Sequence, residues 1–141
     1  VTVDRDEKEI AELKLAMGAG GTGKGAAGAL RGSAGALKDL ETKQKRRRTR
    51  AGRDALDRAL TDLAGLYRDV IATHFGAPVA LTHPDQRDAV IELTRALTAA
   101  GALNCIDAIL EARTAIDANV KPKFAIAALI AALGAAGRRP V

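Results

Sequence analysis

Ala125-Ile126-Ala127-Ala128-Leu129-Ile130-Ala131-Ala132-Leu133-Gly134-Ala135-Ala136 is a twelve-residue stretch without one polar side chain. A helix that is apolar all round has no face for water and is expected to be covered on every side. Twelve residues are too few to cross a bilayer. The stretch is therefore a central core helix or part of a subunit interface. It is entered through Asp117-Ala118-Asn119-Val120-Lys121-Pro122-Lys123-Phe124, where Pro122 can occupy the first helical position at no cost in hydrogen bonds.

The rest of the chain agrees with an all-α fold. Only three residues are aromatic, Tyr67, Phe75 and Phe124, while Ala and Leu, both strong helix formers, dominate. No alternating run of β-branched and aromatic residues makes a strand. The clearest helix places Leu56, Leu60, Leu63, Tyr67, Val70 and His74 at steps of four and three, one stripe over about five turns. Gly76 followed by Pro78 ends it. Upstream, Ile10, Leu13 and Met17 give residues 4–17 an amphipathic face, and Ala27, Leu30, Ala34 and Leu37 make a narrow seam. The helix from Ala26 can run through Thr49-Arg50-Ala51-Gly52 into the Leu56 stripe. Downstream, Pro84 and Asp85 restart a helix with Val90, Leu93 and Leu97 inward, and Gly101 ends it. Between Ala102 and Ala118, Leu103, Ile106 and Leu110 form one seam, with Cys105, Ile109 and Ile116 beside it. The expected architecture is a bundle of five to six helices: residues 1–25 as a helix and connector, residues 26–141 as the bundle. With 141 residues such a chain buries roughly 70% of its unfolded surface.

The formal charge of +5 is local. Lys43, Lys45, Arg46, Arg47, Arg48, Arg50 and Arg53 fall within eleven residues that hold no acid, and without them 15 basic residues face 17 acidic ones. Such a run is a solvated or protein-facing patch, or else a phosphate contact. It has no interleaved aromatics for stacking on bases.

Few residues offer chemistry. Gly18-Ala19-Gly20-Gly21-Thr22-Gly23-Lys24-Gly25 satisfies GxxxxGK, but Gly25 stands where a phosphate loop needs Ser or Thr for magnesium, and a helix rather than a strand precedes it. It reads as a connector between helices. Cys105 lies on an apolar seam and cannot form an internal disulfide, which fits a reducing cytosol. His74 is a helix-end residue and His83 a cap before Pro84. No catalytic constellation, metal set or cofactor site is visible. The charged first ten residues are not a secretory signal. The start at Val1 is read as that of a fragment.

Two stretches, in this order, carry a family likeness. The first runs from Leu37-Lys38-Asp39-Leu40-Glu41 through the basic run into Asp54-Ala55-Leu56-Asp57-Arg58-Ala59-Leu60 and Asp62 to Val70. The second is Ala112-Arg113 followed by Ile116-Asp117-Ala118-Asn119-Val120-Lys121-Pro122-Lys123-Phe124-Ala125. Here the chain resembles the C-terminal domain of the bacterial DNA polymerase III delta prime subunit, a clamp-loader component, with a Gly21–Gly25 segment like that of actinobacterial members. The glycine richness of residues 18–35 departs from a packed collar helix. The resemblance implies a collar domain that packs with delta and with tau or gamma subunits, holding together the complex that loads the sliding clamp. The ATPase-type modules, the arginine finger and the zinc-binding region would lie in an absent N-terminal part. It places a partner interface at Asn119, Lys121, Pro122, Lys123, Phe124, Ile126, Leu129, Ile130 and Leu133. Two other readings stand beside it: a nucleic-acid-binding domain using Arg46, Arg47, Arg48, Arg50 and Arg53, and a nucleotide-dependent enzyme resting on Gly18 to Gly25.

Overall fold

The computed structural model describes the backbone of residues 2–17 and 26–136 and the side chains of residues 3–17 and 33–136. The chain is all-α. Helices α1 (Thr2–Ala16) and α2 (Ala26–His74) precede a 3-10 turn at Pro84–Gln86, followed by α3 (Arg87–Ala96), α4 (Ala99–Asp117) and α5 (Pro122–Ala136). No strand occurs among the described residues. The expected merger through Thr49–Gly52 is present, and α2 runs unbroken. The Gly18–Gly25 motif lies outside the described residues. Contacts divide the chain into two compact units, Val1–Ala55 and Leu56–Val141.

In the first unit, α1 packs against the front of α2, and the best-buried described residues are polar. Asp6 is fully buried and Gln44 nearly so. Ile10, Leu13 and Met17 are only half-buried, as are Leu37 and Leu40 on α2.

The second unit holds the hydrophobic core. The Leu56 stripe supplies Leu60, Tyr67 and Val70, α3 supplies Val90, and Leu97 follows it. From α4 come Ala102, Cys105, Ile109, Ala112 and Ile116, and from α5 Ala125 and Leu129. Leu103 and Leu110, predicted to lie on an inward seam of α4, are instead about half exposed. Leu103 and Leu110 are seven residues apart and share a face that turns away from the Cys105–Ile109 face.

Helix ends explain several sequence features. At the end of α2, Gly76 takes φ +58°, the Ala77 N–H donates to the Ala72 carbonyl at 2.9 Å and the Gly76 N–H to Thr73 at 3.1 Å. That double bond is a Schellman stop, which favours glycine at the left-handed position. Helix α4 ends the same way with Asn119 at φ 65°: the Val120 N–H reaches the Ala115 carbonyl at 2.9 Å and the Asn119 N–H that of Ile116 at 3.0 Å. Asn tolerates this conformation better than residues with bulkier side chains. Pro122 then opens α5 as expected.

Gly101 does not terminate a helix. Helix α3 stops at Ala96, Thr98 caps α4 by accepting the Gly101 N–H at 3.0 Å, and the chain turns by 116° between the two helical segments. Gly101 sits buried in the first turn of α4, where a Cβ would stand 3.3 Å from the Ala136 carbonyl oxygen. A glycine there lets the end of α5 come close.

Candidate functional site

Helix α5 departs from the core-helix alternative. Ala125 and Leu129 are buried, and Ile126, Leu133 and Ala136 pack against the core beside them. At 100° per residue these five occupy one continuous arc. Phe124, Ala127, Ala128, Ile130, Ala131, Ala132, Gly134 and Ala135 cover the rest of the cylinder, all exposed, with Phe124 at 58% and Ile130 at 65%. Not one of the eight can hydrogen-bond to water through its side chain. This is where the uniform apolarity of the stretch expresses itself: half of it faces the core and half faces solvent, with no polar boundary.

The residues assigned to a partner interface are thereby sorted. Leu129 points into the core of its own unit, with Ile126 and Leu133 at its edge. Phe124 and Ile130 point outward, together with Asn119, Lys121, Pro122 and Lys123 around the start of α5. The Lys123 ammonium lies 4.9 Å from the centre of the Phe124 ring, within cation–π range.

The basic run is likewise divided, by helical phase. Gln44, Arg47 and Arg48 are spaced three and four residues apart, on the face of α2 that meets α1. Arg47 grips Glu9 with both terminal nitrogens, Nη1 to Oε1 at 3.2 Å and Nη2 to Oε2 at 2.7 Å. Arg47 and Arg48 both donate to the buried Asp6 carboxylate. Gln44 Nε2 donates to the Asp6 carbonyl at 2.9 Å and to Glu9 Oε2 at 3.3 Å. Arg47 holds the Glu9 carboxyl down at about 2, against the opposing effect of burial. Asp6 is lowered as well, chiefly by its hydrogen bond from Arg47, while burial works in the other direction. Of the five arginines assigned to phosphate or partner contact, Arg47 and Arg48 are therefore paired with carboxylates of α1, Arg48 while still exposed. Arg46, Arg50 and Arg53 are exposed on the opposite side. The Asp6–Arg48 and Glu9–Arg47 pairs were missed in the sequence because they join residues about forty positions apart.

A second polar anchor, also missed, lies in the other unit. Asp69 is fully buried beside Val70 on the Leu56 stripe. It accepts the Thr82 N–H at 2.7 Å, the Thr82 hydroxyl at 3.0 Å, the His83 N–H at 3.3 Å and Arg68 Nη1 at 2.8 Å. Burial would raise its pKa, but these donors outweigh it and hold the carboxyl below its ordinary value. Arg68 also donates to the Ala80 carbonyl at 2.9 Å. The set pins the loop before α3 onto α2 at Gly65, where a Cβ would stand 3.0 Å from Thr82 Cγ2. Every contact of Asp69 is structural.

Cys105 is buried, and burial pushes its thiol up, so the reactive thiolate is suppressed. Tyr67 beside it is pushed up to about 12, first by burial and then by Cys105. His74, the last residue of α2, donates from Nε2 to the Leu97 carbonyl at 3.0 Å. His83 precedes the 3-10 turn, but its ring makes no capping bond. Its backbone N–H serves Asp69 instead. No group of three metal-ligating side chains occurs among the described residues. No single described helix is long and apolar enough to cross a membrane.

The first unit thus presents a basic surface and the second an apolar one. No protein-family model, curated protein or solved structure matches the chain.

Proposed function

We propose that this chain is an assembly module of the clamp-loader collar type, the C-terminal domain of a delta prime subunit working in the bacterial cytoplasm. The observation that carries the reading is the outward half of α5. Eight exposed residues from Phe124 to Ala135 are Phe, Ile, Ala or Gly, and a face of small apolar side chains lets another helix approach closely. The likeness of Leu37–Val70 and Ala112–Ala125 to the delta prime C-terminal domain supports the same reading. Asn119 at the left-handed stop and Pro122 at the start of α5 give two residues of that motif a physical role.

In this reading the chain performs no bond-making step. Its core fixes α5 through Ala125 and Leu129, and the free half of the helix binds neighbouring delta and tau or gamma subunits. Burying that face removes apolar surface from water at roughly 25 cal/mol per Å². Gel filtration of the chain mixed with tau and delta subunits tests the reading. Co-elution is expected, and a chain that elutes alone beside both overturns it.

A further inference from the structure

We propose that the outer face of α2 between Thr42 and Arg53 binds the phosphate backbone of duplex DNA. The surface belongs to the first unit and stands independently of the α5 interface.

The geometry follows from helical phase. With Gln44, Arg47 and Arg48 turned to α1, a rotation of 100° per residue puts Thr42, Thr49 and Arg53 on the opposite side. Lys45 flanks that line on one edge, and Arg46 and Arg50 flank it on the other. All six are exposed and line one shallow groove on the helix surface. The Thr42 and Thr49 hydroxyls donate back to the Lys38 and Lys45 carbonyls at 2.8 and 2.9 Å, which folds these short side chains against the helix. Lys45, Arg46 and Arg50 thus border a low line at Thr42 and Thr49 that ends at Arg53, and no carboxylate occurs anywhere from Thr42 to Arg53.

The partner is selected by shape and charge. From Lys45 to Arg53 the helix rises about 12 Å. Over that length each strand of a duplex presents roughly three to four phosphates. The major groove of B-form DNA admits an α-helix, with phosphates along both edges where the cations stand. The deep, narrow major groove of A-form RNA does not. A single strand is a poorer fit, because the first 55 residues contain no aromatic side chain on which bases could stack. The one long carboxamide of the run, Gln44, is turned inward, which removes the side chain suited to reading adenine and leaves cations on the outer face.

The α1 hairpin takes part in presentation. Asp6 and Glu9 occupy Arg47 and Arg48 and fix the rotation of α2, which leaves Lys45, Arg46 and Arg50 on the outside.

Fluorescence anisotropy of the 141-residue chain with a labelled 20-base-pair DNA duplex, titrated from 50 to 300 mM salt, tests the proposal. Binding is expected in the range of about 1 to 100 μM, with log affinity falling against log salt at a slope near −3. Arg46→Ala with Arg50→Ala should weaken binding at least tenfold and flatten the slope by about two, while Lys8→Ala on α1 leaves both unchanged. Unchanged helicity by circular dichroism accompanies each variant. No binding at 50 mM salt overturns the proposal. So does equal loss in Lys8→Ala, or equal or tighter binding of single-stranded DNA, duplex RNA or polyglutamate.

Discussion

Thr82 gives its backbone N–H to the Asp69 carboxylate at 2.7 Å, joining a loop to a helix thirteen residues upstream. The carboxylate is fully buried and takes four donors, from Thr82, His83 and Arg68. Asp69→Asn replaces one acceptor oxygen by an amide and leaves donors facing donors. The expected cost is about 2–4 kcal/mol, because the stranded groups stay buried. A urea midpoint unchanged from wild type would contradict the anchoring role.

Two glycines of α2 should respond to the same substitution with opposite signs. A Cβ at Gly52 would meet nothing within 4 Å, so Gly52→Ala gains about 1 kcal/mol of helix propensity. Gly65 faces Thr82 Cγ2 at 3.0 Å and His83 Nε2 at 3.2 Å, both on the loop that Asp69 holds. Gly65→Ala should therefore cost roughly 1–3 kcal/mol. Thermal melts of the two variants, one up and one down, check the pair.

Asn119 is assigned to the stop of α4 by its φ of 65°. Asn119→Gly is expected to be neutral or stabilising, and Asn119→Val to cost about 1–2 kcal/mol. Equal stability of the two variants would remove the backbone explanation for that position.

The hairpin carries a pH signature. Arg47 holds Glu9 at about 2, below its ordinary 4.5, and Asp6 is also lowered. A depressed carboxyl contributes stability that is complete above its ordinary pKa and is lost as pH falls through the folded value. Helicity of the first unit should thus decline between pH 4.5 and 2. A carbon NMR titration of the Glu9 carboxyl should show the low midpoint in wild type and a return toward 4.5 in Arg47→Met.

How far the sequence could be read depended on whether a feature was local. The Leu56–Val70 stripe, the Gly76 stop and Pro122 at a helix start declare themselves within a turn or two, and all three were legible. Gly101 misled because a glycine after Leu97 reads as a terminator, whereas Thr98 caps the next helix and the glycine serves the approach of Ala136. Asp69 was hidden because its partners lie in a loop without periodicity. The basic run had no readable orientation until α1 supplied Asp6 and Glu9. The apolar stretch from Ala125 to Ala136 could not reveal its own phase, since a segment without polar residues marks no side as outward.

On the proposed reading, the outward half of α5 is an assembly surface. Sedimentation velocity of the chain with tau and delta subunits, compared between wild type and the double variant Ala128→Glu with Ile130→Glu, tests it most directly. Both positions are exposed, so the fold and its helicity should survive the change. Wild type should give a faster-sedimenting complex and the variant a free, folded monomer. A variant that joins the complex with undiminished affinity, or a wild-type chain that joins none, would contradict it.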